Sequence, residues 1–334
     1  MMRFFPLLGV ALVLAACRRD TGKLLALPTT PRGLPVAVDP ADNPTTLAKV
    51  NLGRFLFFEP RIGSGDFMSC VDCHRADHGW AGRDATSVNA MGRRTRRKAL
   101  SAVNAAYPPL FAWDGRAKTL EDVIKIGWSQ LGMTDEDATA AKLAAIAEYR
   151  TMFTEAFGGP PTGLRVRQAL GAYLRALKDG DSPYDRFVSG EASAMSDAAK
   201  RGLATFRAFG CEGCHAPPLF SDYAFHNAGI GSADDAGRFE VTKLESDRGR
   251  FRTPSLRSVA NSGPWFHDGS AATLAEAIRK MASGGVPNAN LDPLFQARTP
   301  TAAEIADIEA FLGALTGKST IEPPKTLPGG RPRT

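Results

Sequence analysis

The pentapeptide Cys-x-x-Cys-His occurs twice in this chain. The first copy is formed by Cys70, Cys73 and His74, and the second by Cys211, Cys214 and His215. In this pattern the two thiols add to the vinyl groups of a haem as thioethers, and the adjacent histidine can bind the iron from one side. The spacing therefore predicts two covalently bound c-type haems.

Zinc is the alternative occupant of paired cysteines, because four thiolates can form a structural site. Zinc requires neither of the adjacent histidines, however, and the two pairs lie in separate segments of similar construction. A thioredoxin-like redox motif would need a surrounding β-α-β pattern, which neither segment has. The two motifs therefore favour haem over either alternative.

The fifth cysteine, Cys17, ends a short apolar stretch that begins soon after Arg3. The stretch resembles an export signal and is too short to span a bilayer. Its last residues, Leu-Ala-Ala-Cys, resemble a bacterial lipobox, which predicts cleavage before Cys17 and a lipid anchor on that residue. An ordinary secretory signal is the alternative. We expect residues 1–17 to be a lipoprotein signal peptide, residues 18–43 to be a tether, and the protein to lie in the periplasm at a membrane surface.

The formal net charge of +6 overstates the basic character of the mature protein. Removal of the signal takes away Arg3, and two haems add roughly four propionates, which leaves a charge of about +1. The charge therefore does not indicate a nucleic-acid partner. A local basic cluster at 93–98 could face propionates, an acidic electron donor or lipid head groups, and a solvated loop is the alternative.

The surroundings of the two motifs also correspond. A helical pattern precedes each motif, at 48–58 and at 198–209. Downstream, each copy has an Asp-Gly turn and then a threonine placed to cap an amphipathic helix. The corresponding residues are Trp113, Asp114, Gly115 and Thr119 in the first copy, and His267, Asp268, Gly269 and Thr273 in the second.

These repeats predict a mainly α fold of two cytochrome-c-like haem domains related by internal duplication. Helical patterns at 135–157 and 165–177 would complete the first domain. We expect an N-terminal haem domain at 44–190, a C-terminal haem domain at 191–320 and a tail at 321–334.

The two copies differ at the position that could supply a second iron ligand. Met281 follows His267 by 14 residues, and the equivalent position in the first copy is Gly127. A methionine opposite a histidine gives a closed, relatively high-potential haem suited to electron transfer. The sequence thus predicts iron ligation by His215 and Met281 in the C-terminal haem. It predicts a haem held by His74 with an open position in the N-terminal domain.

The chain resembles the bacterial di-haem cytochrome c peroxidases and the related MauG-type enzymes, which oxidise a partner protein. The resemblance covers nearly all of 44–315 and is carried by four motifs, Leu-Gly-Arg-Phe-Leu-Phe-Phe at 52–58, Phe-Ala-Trp-Asp-Gly-Arg at 111–116, Arg-Thr-Pro-Ser-Leu-Arg at 252–257 and Phe-His-Asp-Gly at 266–269. It implies that the N-terminal haem reacts with hydrogen peroxide and that the C-terminal haem supplies electrons. It also implies that Trp113 lies between the haems as a relay.

The chain departs from the family pattern beside the first haem. Many family peroxidases have a histidine in the loop that corresponds to 87–92, and this loop has none. His78 lies only four residues after His74 and is expected on the proximal side or the rim. We therefore predict a first haem that is open without reductive activation, as in the MauG-type enzymes; Met91 is the alternative ligand.

The position of the family's distal glutamate is taken by Gln130. A glutamine can hold peroxide or water, but its amide does not titrate near neutrality and cannot shuttle protons comparably. Three nearby carboxylates could substitute, and the sequence does not choose among them: Glu121, Asp122 and Asp135.

The family also binds calcium between its haems, through an asparagine side chain and two carbonyl groups. The asparagine aligns with Lys98, and the carbonyl groups would belong to Ser262 and Pro264. An ammonium group there repels a divalent cation, so we predict little or no calcium dependence. His226 and His267 lie in loops of the second domain, where they could contact haem propionates or frame the gap between the haems. An ordinary hydrogen-bonded structural role is expected for both.

The leading functional hypothesis is a cytochrome c peroxidase that takes electrons from a small periplasmic donor, either cytochrome c or a blue copper protein. MauG-like oxidation of a partner side chain is an alternative that the loop without histidine favours. A non-enzymatic electron carrier or redox sensor is a third reading, which Gln130 favours. Family members often form homodimers, and nothing in the sequence requires one.

Overall fold

The computed structural model describes residues 22–232 and 234–331, so Cys17 and the predicted signal peptide lie outside the described residues. The described chain is mainly helical, as predicted. Its α-helices are α1 (Leu47–Phe57), α2 (Leu120–Gln130), α3 (Glu136–Ala144), α4 (Ala147–Phe157), α5 (Gly163–Ala176), α6 (Pro183–Val188), α7 (Asp197–Ala208), α8 (Phe239–Thr242), α9 (Leu274–Ala282) and α10 (Ala302–Gly313). None of the helices found in the described residues has the length and apolar character needed to cross a membrane.

The strands of the described chain are two residues long and form two antiparallel pairs. Strand β1 (Asp179–Gly180) pairs with β4 (Lys318–Ser319), and β2 (Phe225–His226) pairs with β3 (Phe251–Arg252). The first pair joins a point just after α5 to the C-terminal segment. It therefore connects two regions that are about 140 residues apart in the sequence.

The first hydrophobic core surrounds α1, which packs against α4 and α5. Helix α1 is buried on nearly all sides, from Lys49 to Phe57, because other elements cover it. The core also contains Ile321 and Leu327, both almost fully buried. Ile321 and Leu327, from the segment predicted as a tail, thus return to the N-terminal core, a long-range contact that no local pattern reveals.

The second core is built around α7 and α10, which pack closely together. A Cβ atom on Gly202 of α7 would lie 1.8 Å from the carbonyl oxygen of Asp307 on α10, so the close approach requires glycine. Tyr184 of α6 is buried in this core. Helix α6, which we placed in the N-terminal domain, therefore packs with the C-terminal one.

Residues 22–43 contain no helix or strand, but they are packed against the body of the protein. The backbone N–H of Leu24 donates to Asn51, and the carbonyl oxygen of Gly33 accepts from Arg257. The Asn43 side chain donates to the carbonyl oxygen of Gln168. From residue 22 onward, the segment predicted as a tether is thus part of the folded surface.

The helical pattern predicted at 135–157 forms two helices rather than one. Asp135 caps α3 by accepting hydrogen bonds from the backbone N–H groups of Asp137 and Ala138. The chain then bends between Ala144 and Ala147, where no glycine or proline breaks the sequence. The bend lets α3 pack on α5 while α4 packs on α1, so tertiary packing decides the break.

The threonine caps predicted downstream of both motifs are confirmed. Thr119 accepts a hydrogen bond of 3.0 Å from the backbone N–H of Asp122, and Asp122 accepts one from the backbone N–H of Thr119. Thr273 accepts one of 3.1 Å from the N–H of Glu276. These caps begin α2 and α9, the two helices that approach the predicted haem sites.

Replacing Thr119 with alanine should lower the free energy of unfolding by about 1 kcal/mol, because the first turn of α2 loses its cap. Chemical denaturation of the haem-loaded protein measures this difference. Thr151→Ala is the matched control, since Thr151 lies on the exposed face of α4 and only contacts the preceding turn. Equal losses in the two variants would contradict the capping role.

Candidate haem sites

We call the part of the chain built on the first core and the first motif the first unit, and the part built on the second core and the second motif the second unit. A mainly apolar cavity of about 250 Å³ lies in the second unit, and the second motif forms part of its wall. Cys211, Cys214 and His215 line it together with Met281 from α9. The remaining wall is largely aromatic and aliphatic, and it comes from α7, α9, α10 and the loops around them. The cavity therefore brings together the thiols, the histidine and the thioether that the sequence predicts for the second haem.

The two motif histidines are held in the same way. The Nδ1 atom of His215 lies 2.9 Å from the carbonyl oxygen of Phe220, and that of His74 lies 2.9 Å from the carbonyl oxygen of Leu100. A carbonyl oxygen can only accept, so Nδ1 carries the proton in both residues and Nε2 keeps its lone pair. Burial lowers the pKa of both histidines, which keeps the rings neutral. Each imidazole is thus prepared to bind iron through Nε2.

Cys70 and Cys211, the first cysteines of the two motifs, lie in environments that favour the protonated thiol. Burial raises the pKa of Cys70 to about 12 and that of Cys211 to about 11. Zinc requires deprotonated sulfur ligands, so these environments disfavour it. The one cluster of possible metal ligands found in the described residues contains a single cysteine, Cys214, with Asp222 and His226. The two cysteine pairs do not come together, and the zinc alternative finds no support.

His226 lies beside the second haem motif, between two carboxylates. Its Nε2 atom is 2.9 Å from Asp222, and its Nδ1 atom is 2.6 Å from Asp292. Carboxylate oxygens only accept, so both ring nitrogens carry protons. The ring is therefore held as a charged cross-link between two loops.

Trp113 belongs to the first unit and yet lines the cavity of the second. Its Nε1 atom donates a hydrogen bond of 2.9 Å to the carbonyl oxygen of Lys98. Ala112 before it has φ +66°, a left-handed conformation that helps to turn the indole toward the second unit. The indole thus reaches from the first unit to the wall of the second haem cavity.

His267, the counterpart of Trp113 in the second copy, lies against it. The two ring centroids are 6.3 Å apart with the rings nearly perpendicular, and His267 stacks on Phe251 at 3.8 Å. His267 is 4% exposed, burial lowers its pKa, and its Nε2 atom has no hydrogen-bond partner in the described part of the chain. Its place beside Trp113 is in the gap between the units, one of the positions expected for His267 from the sequence.

Gln130 ends α2 and contacts the loop that follows the first motif. Its Oε1 atom accepts a hydrogen bond of 3.2 Å from Asn89, and its backbone oxygen accepts one from Ala90. The same loop reaches the first haem motif, where Ser87 contacts the sulfur of Cys73. Asn89 is buried and positions the Gln130 amide, a role that no motif in the sequence indicates. Met91 in this loop is 53% exposed, so its position gives no support to iron ligation.

The three carboxylates that could have replaced the distal glutamate have structural partners. Asp122 caps α2, and Asp135 caps α3. Glu121 accepts hydrogen bonds from Arg175 and Asn43. These bonds hold each of the three carboxylates in place. Of the four side chains considered for the distal position, Gln130 is the one that contacts the loop after the first motif.

Part of the basic cluster at 93–98 joins the two units, whereas Arg93 and Arg94 are exposed. Arg97 is mostly buried and forms ion pairs of 2.6 Å with Asp114 of the first unit and Asp235 of the second. Arg96 pairs with Glu240 of the second unit. Hydrogen bonds from Arg116 and Arg97 outweigh burial and lower the pKa of Asp114. These arginines therefore hold the turn with Trp113 against the second unit.

Comparison with known proteins agrees with this arrangement. The family model described as di-haem cytochrome c peroxidase matches residues 47–193. The chain is 33% identical over 285 residues to the methylamine utilization protein MauG of Methylophilus methylotrophus, covering 83% of this chain and 85% of that protein. The chain belongs to the di-haem cytochrome c peroxidase and MauG family. This confirms the resemblance inferred from the sequence motifs.

Two further relatives show the range of this family. The cytochrome c551 peroxidase of Pseudomonas aeruginosa is 32% identical over 280 residues, covering 80% of this chain and 78% of that protein. A crystal structure of a MauG-like protein associated with microbial copper homeostasis has a TM-score of 0.82 and 29% identity, covering 88% of this chain and 97% of that chain. The chain is thus similar both to peroxidases and to MauG-type proteins.

Proposed function

We propose that the chain is a di-haem peroxidase that reduces hydrogen peroxide at the N-terminal haem with electrons passed from the C-terminal haem. The observation that carries the proposal is the difference between two otherwise similar sites. Met281 lines the cavity that contains His215, whereas the equivalent residue of the first copy, Gly127, has no side chain that could bind iron. The second site thus has a side chain that can close the iron, and the first site has none at the equivalent position. Only the first site is then free for a small molecule.

The side chains of both sites suit c-type haem. Cys70, Cys73 and His74 would hold one haem, and Cys211, Cys214, His215 and Met281 would hold the other. When bound, the haems supply redox chemistry, including the reduction of peroxide. The protein contributes neutral imidazoles fixed through Nδ1, an apolar enclosure for the second haem, and the Gln130 amide, which can hold peroxide or water by hydrogen bonds.

The spectrum of the oxidised haem-loaded protein tests this proposal. We expect one high-spin ferric signal from the open site, one low-spin signal from the closed site, and rapid oxidation of reduced cytochrome c by peroxide. Two low-spin haems that do not react with peroxide would overturn the proposal and favour an electron carrier.

We propose Trp113 as the relay between the two haems. Its indole reaches from the first unit to the second cavity and contacts His267. In Trp113→Phe the aromatic ring remains but is harder to oxidise, and the hydrogen bond to Lys98 is lost. We expect slower electron transfer between the haems, measured by rapid mixing with peroxide, with both haems retained.

Trp128→Phe is the matched control for the relay. Trp128 is also a tryptophan of the first unit whose indole N–H donates to a backbone carbonyl, that of Ile62, but it lies in the first core and not in the gap. Unchanged inter-haem kinetics in Trp113→Phe, or an equal slowing in both variants, would remove the relay role from Trp113.

Oxidation of a partner protein is the second candidate function. Its support is the similarity to MauG and to the MauG-like structure, together with a first-haem loop that lacks histidine. Small donors such as cytochrome c or a blue copper protein would support turnover in the peroxidase case. Peroxide-driven modification of a co-purified partner, with poor turnover of such donors, would favour the partner-oxidation case.

We also propose that the two units arose by internal duplication. Each has a short 3₁₀ turn at its motif and a bridge of the same spacing around the Asp-Gly turn, Phe111 to Ala117 and Trp265 to Ala271. Ala112 and Phe266 have the same unusual positive φ at matching positions. The periplasmic location and the lipid on Cys17 remain proposals from the sequence, to be tested by lipid labelling of the wild type and Cys17→Ser.

A further inference from the structure

Lys98 is a buried cation at the junction of the two units. Its side chain is 6% exposed, and its Nζ atom donates hydrogen bonds to the carbonyl oxygens of Gly82 in the first unit and Gly263 in the second. In the described residues its side chain makes no hydrogen bond or ion pair with a carboxylate, and Asp84 is the acidic group whose charge acts on it from a greater distance. A buried charge is stable only when polar groups replace its lost hydration, and here backbone carbonyl groups do so.

The backbone of the same residue also organises the gap between the haems. The carbonyl oxygen of Lys98 accepts from Trp113, and its N–H donates a hydrogen bond of 2.7 Å to the carbonyl oxygen of His267. Lys98 thus contacts both aromatic residues of the gap as well as both units. Any cation bound at this point would hold the relay region together.

The carbonyl oxygen of Gly263 has no lone pair left for a metal ion. It accepts from Lys98 at 3.2 Å and from the Nε2 atom of His78 at 2.5 Å, and a carbonyl oxygen has two lone pairs. Calcium requires six to eight oxygen ligands. The carbonyl group between the two expected ligands, Ser262 and Pro264, is thus occupied, and an ammonium group stands where the family has its asparagine ligand. A cation already bound at this point repels a second one, so the gap does not fit the calcium ion that the family resemblance implies. The Lys98 ammonium donates to the carbonyl oxygen of Gly263, which lies in the sequence between Ser262 and Pro264.

We propose that the Lys98 ammonium is a built-in cation that replaces a bound divalent metal between the two haem units. Burial lowers the pKa of Lys98 to about 8, so the amine is still largely protonated at neutral pH. The ammonium supplies the positive charge and the cross-link that a metal would otherwise supply. The two units are consequently joined around Trp113 without an exchangeable ion.

Metal analysis and thermal unfolding of the haem-loaded protein test the proposal. The wild type should contain no stoichiometric calcium, and its unfolding midpoint should be the same in calcium chloride and in chelator. Stoichiometric calcium in the wild type, or a midpoint and haem spectra that change with chelator and recover with calcium, would overturn the proposal. These measurements do not depend on peroxidase activity, so they stand apart from the proposed function.

Two variants sharpen the test. Lys98→Asn removes the ammonium and offers an amide oxygen in its place, so calcium should raise its unfolding midpoint by roughly 5 °C at a hundredfold excess over the dissociation constant. Lys98→Met fills the same space without an oxygen ligand, so it should be destabilised and should not respond to calcium. The proposal is wrong if Lys98→Asn ignores calcium or if both variants respond equally.

Discussion

Replacing Gln130 with glutamate should accelerate the reaction with hydrogen peroxide by about 10²-fold, the lower end of the range for general acid–base catalysis. The glutamate would still accept the hydrogen bond that the side chain of Asn89 now donates to Gln130. It would add a carboxylate that can take a proton from one peroxide oxygen and deliver it to the other. Stopped-flow measurement of the second-order rate constant gives the comparison.

The pH dependence identifies the cause of this acceleration. Only the ionised carboxylate can accept the first proton, so the gain should disappear below the ordinary glutamate pKa of about 4.3 and be complete at neutral pH. Gln130→Leu is the control, because it removes the hydrogen bond to Asn89 without adding a base. A rate in Gln130→Glu equal to that of the wild type at neutral pH would show that the side chain at 130 does not reach the bound peroxide.

The local features of the fold could be predicted because each depends on a few neighbouring residues. The helices before the two motifs and the caps at Thr119 and Thr273 follow from short patterns of apolar residues and hydrogen-bonding side chains. The position of Met281 on the same cavity as His215 could be predicted because the repeat gives a register in which Gly127 is its counterpart. These features need no knowledge of distant contacts.

The contacts between distant segments could not be predicted from such patterns. Ile321 and Leu327 return to the first core, and nothing in their own sequence specifies this partner. The backbone carbonyl groups that orient His74 and His215 belong to Leu100 and Phe220. Every residue has a backbone carbonyl group, so the sequence does not show which one accepts the hydrogen bond. Backbone acceptors leave no trace in side-chain identity, so the structure is needed to assign them.

The arginine cluster shows the same limit in its electrostatics. The run of positive charge at 93–98 is visible in the sequence, but its partners Asp235 and Glu240 lie about 140 residues away. From the sequence, a solvated loop was as good a reading as a contact site. Arg97 is buried between two carboxylates, which shows that part of the cluster is internal. A buried ion pair is favourable only when its groups are fully hydrogen-bonded.

Replacing Met281 with leucine should open the second site. Leucine fills a similar volume and preserves packing in the cavity, but it has no sulfur lone pair to donate to iron. We expect a second high-spin ferric signal in the oxidised protein. We also expect the reduction potential of this haem to fall by on the order of 0.1 V, a fraction of the range that axial ligands control. Paramagnetic resonance and a redox titration measure the two changes.

Met195→Leu is the matched control, because Met195 is buried in the second core and does not line the haem cavity. It should leave the spectrum and both potentials unchanged, so that any change in Met281→Leu reflects the lost thioether. An unaltered low-spin spectrum in Met281→Leu would assign the sixth ligand to another residue. A second open site that also took up peroxide would further show that Met281 is what confines the reaction to the first unit.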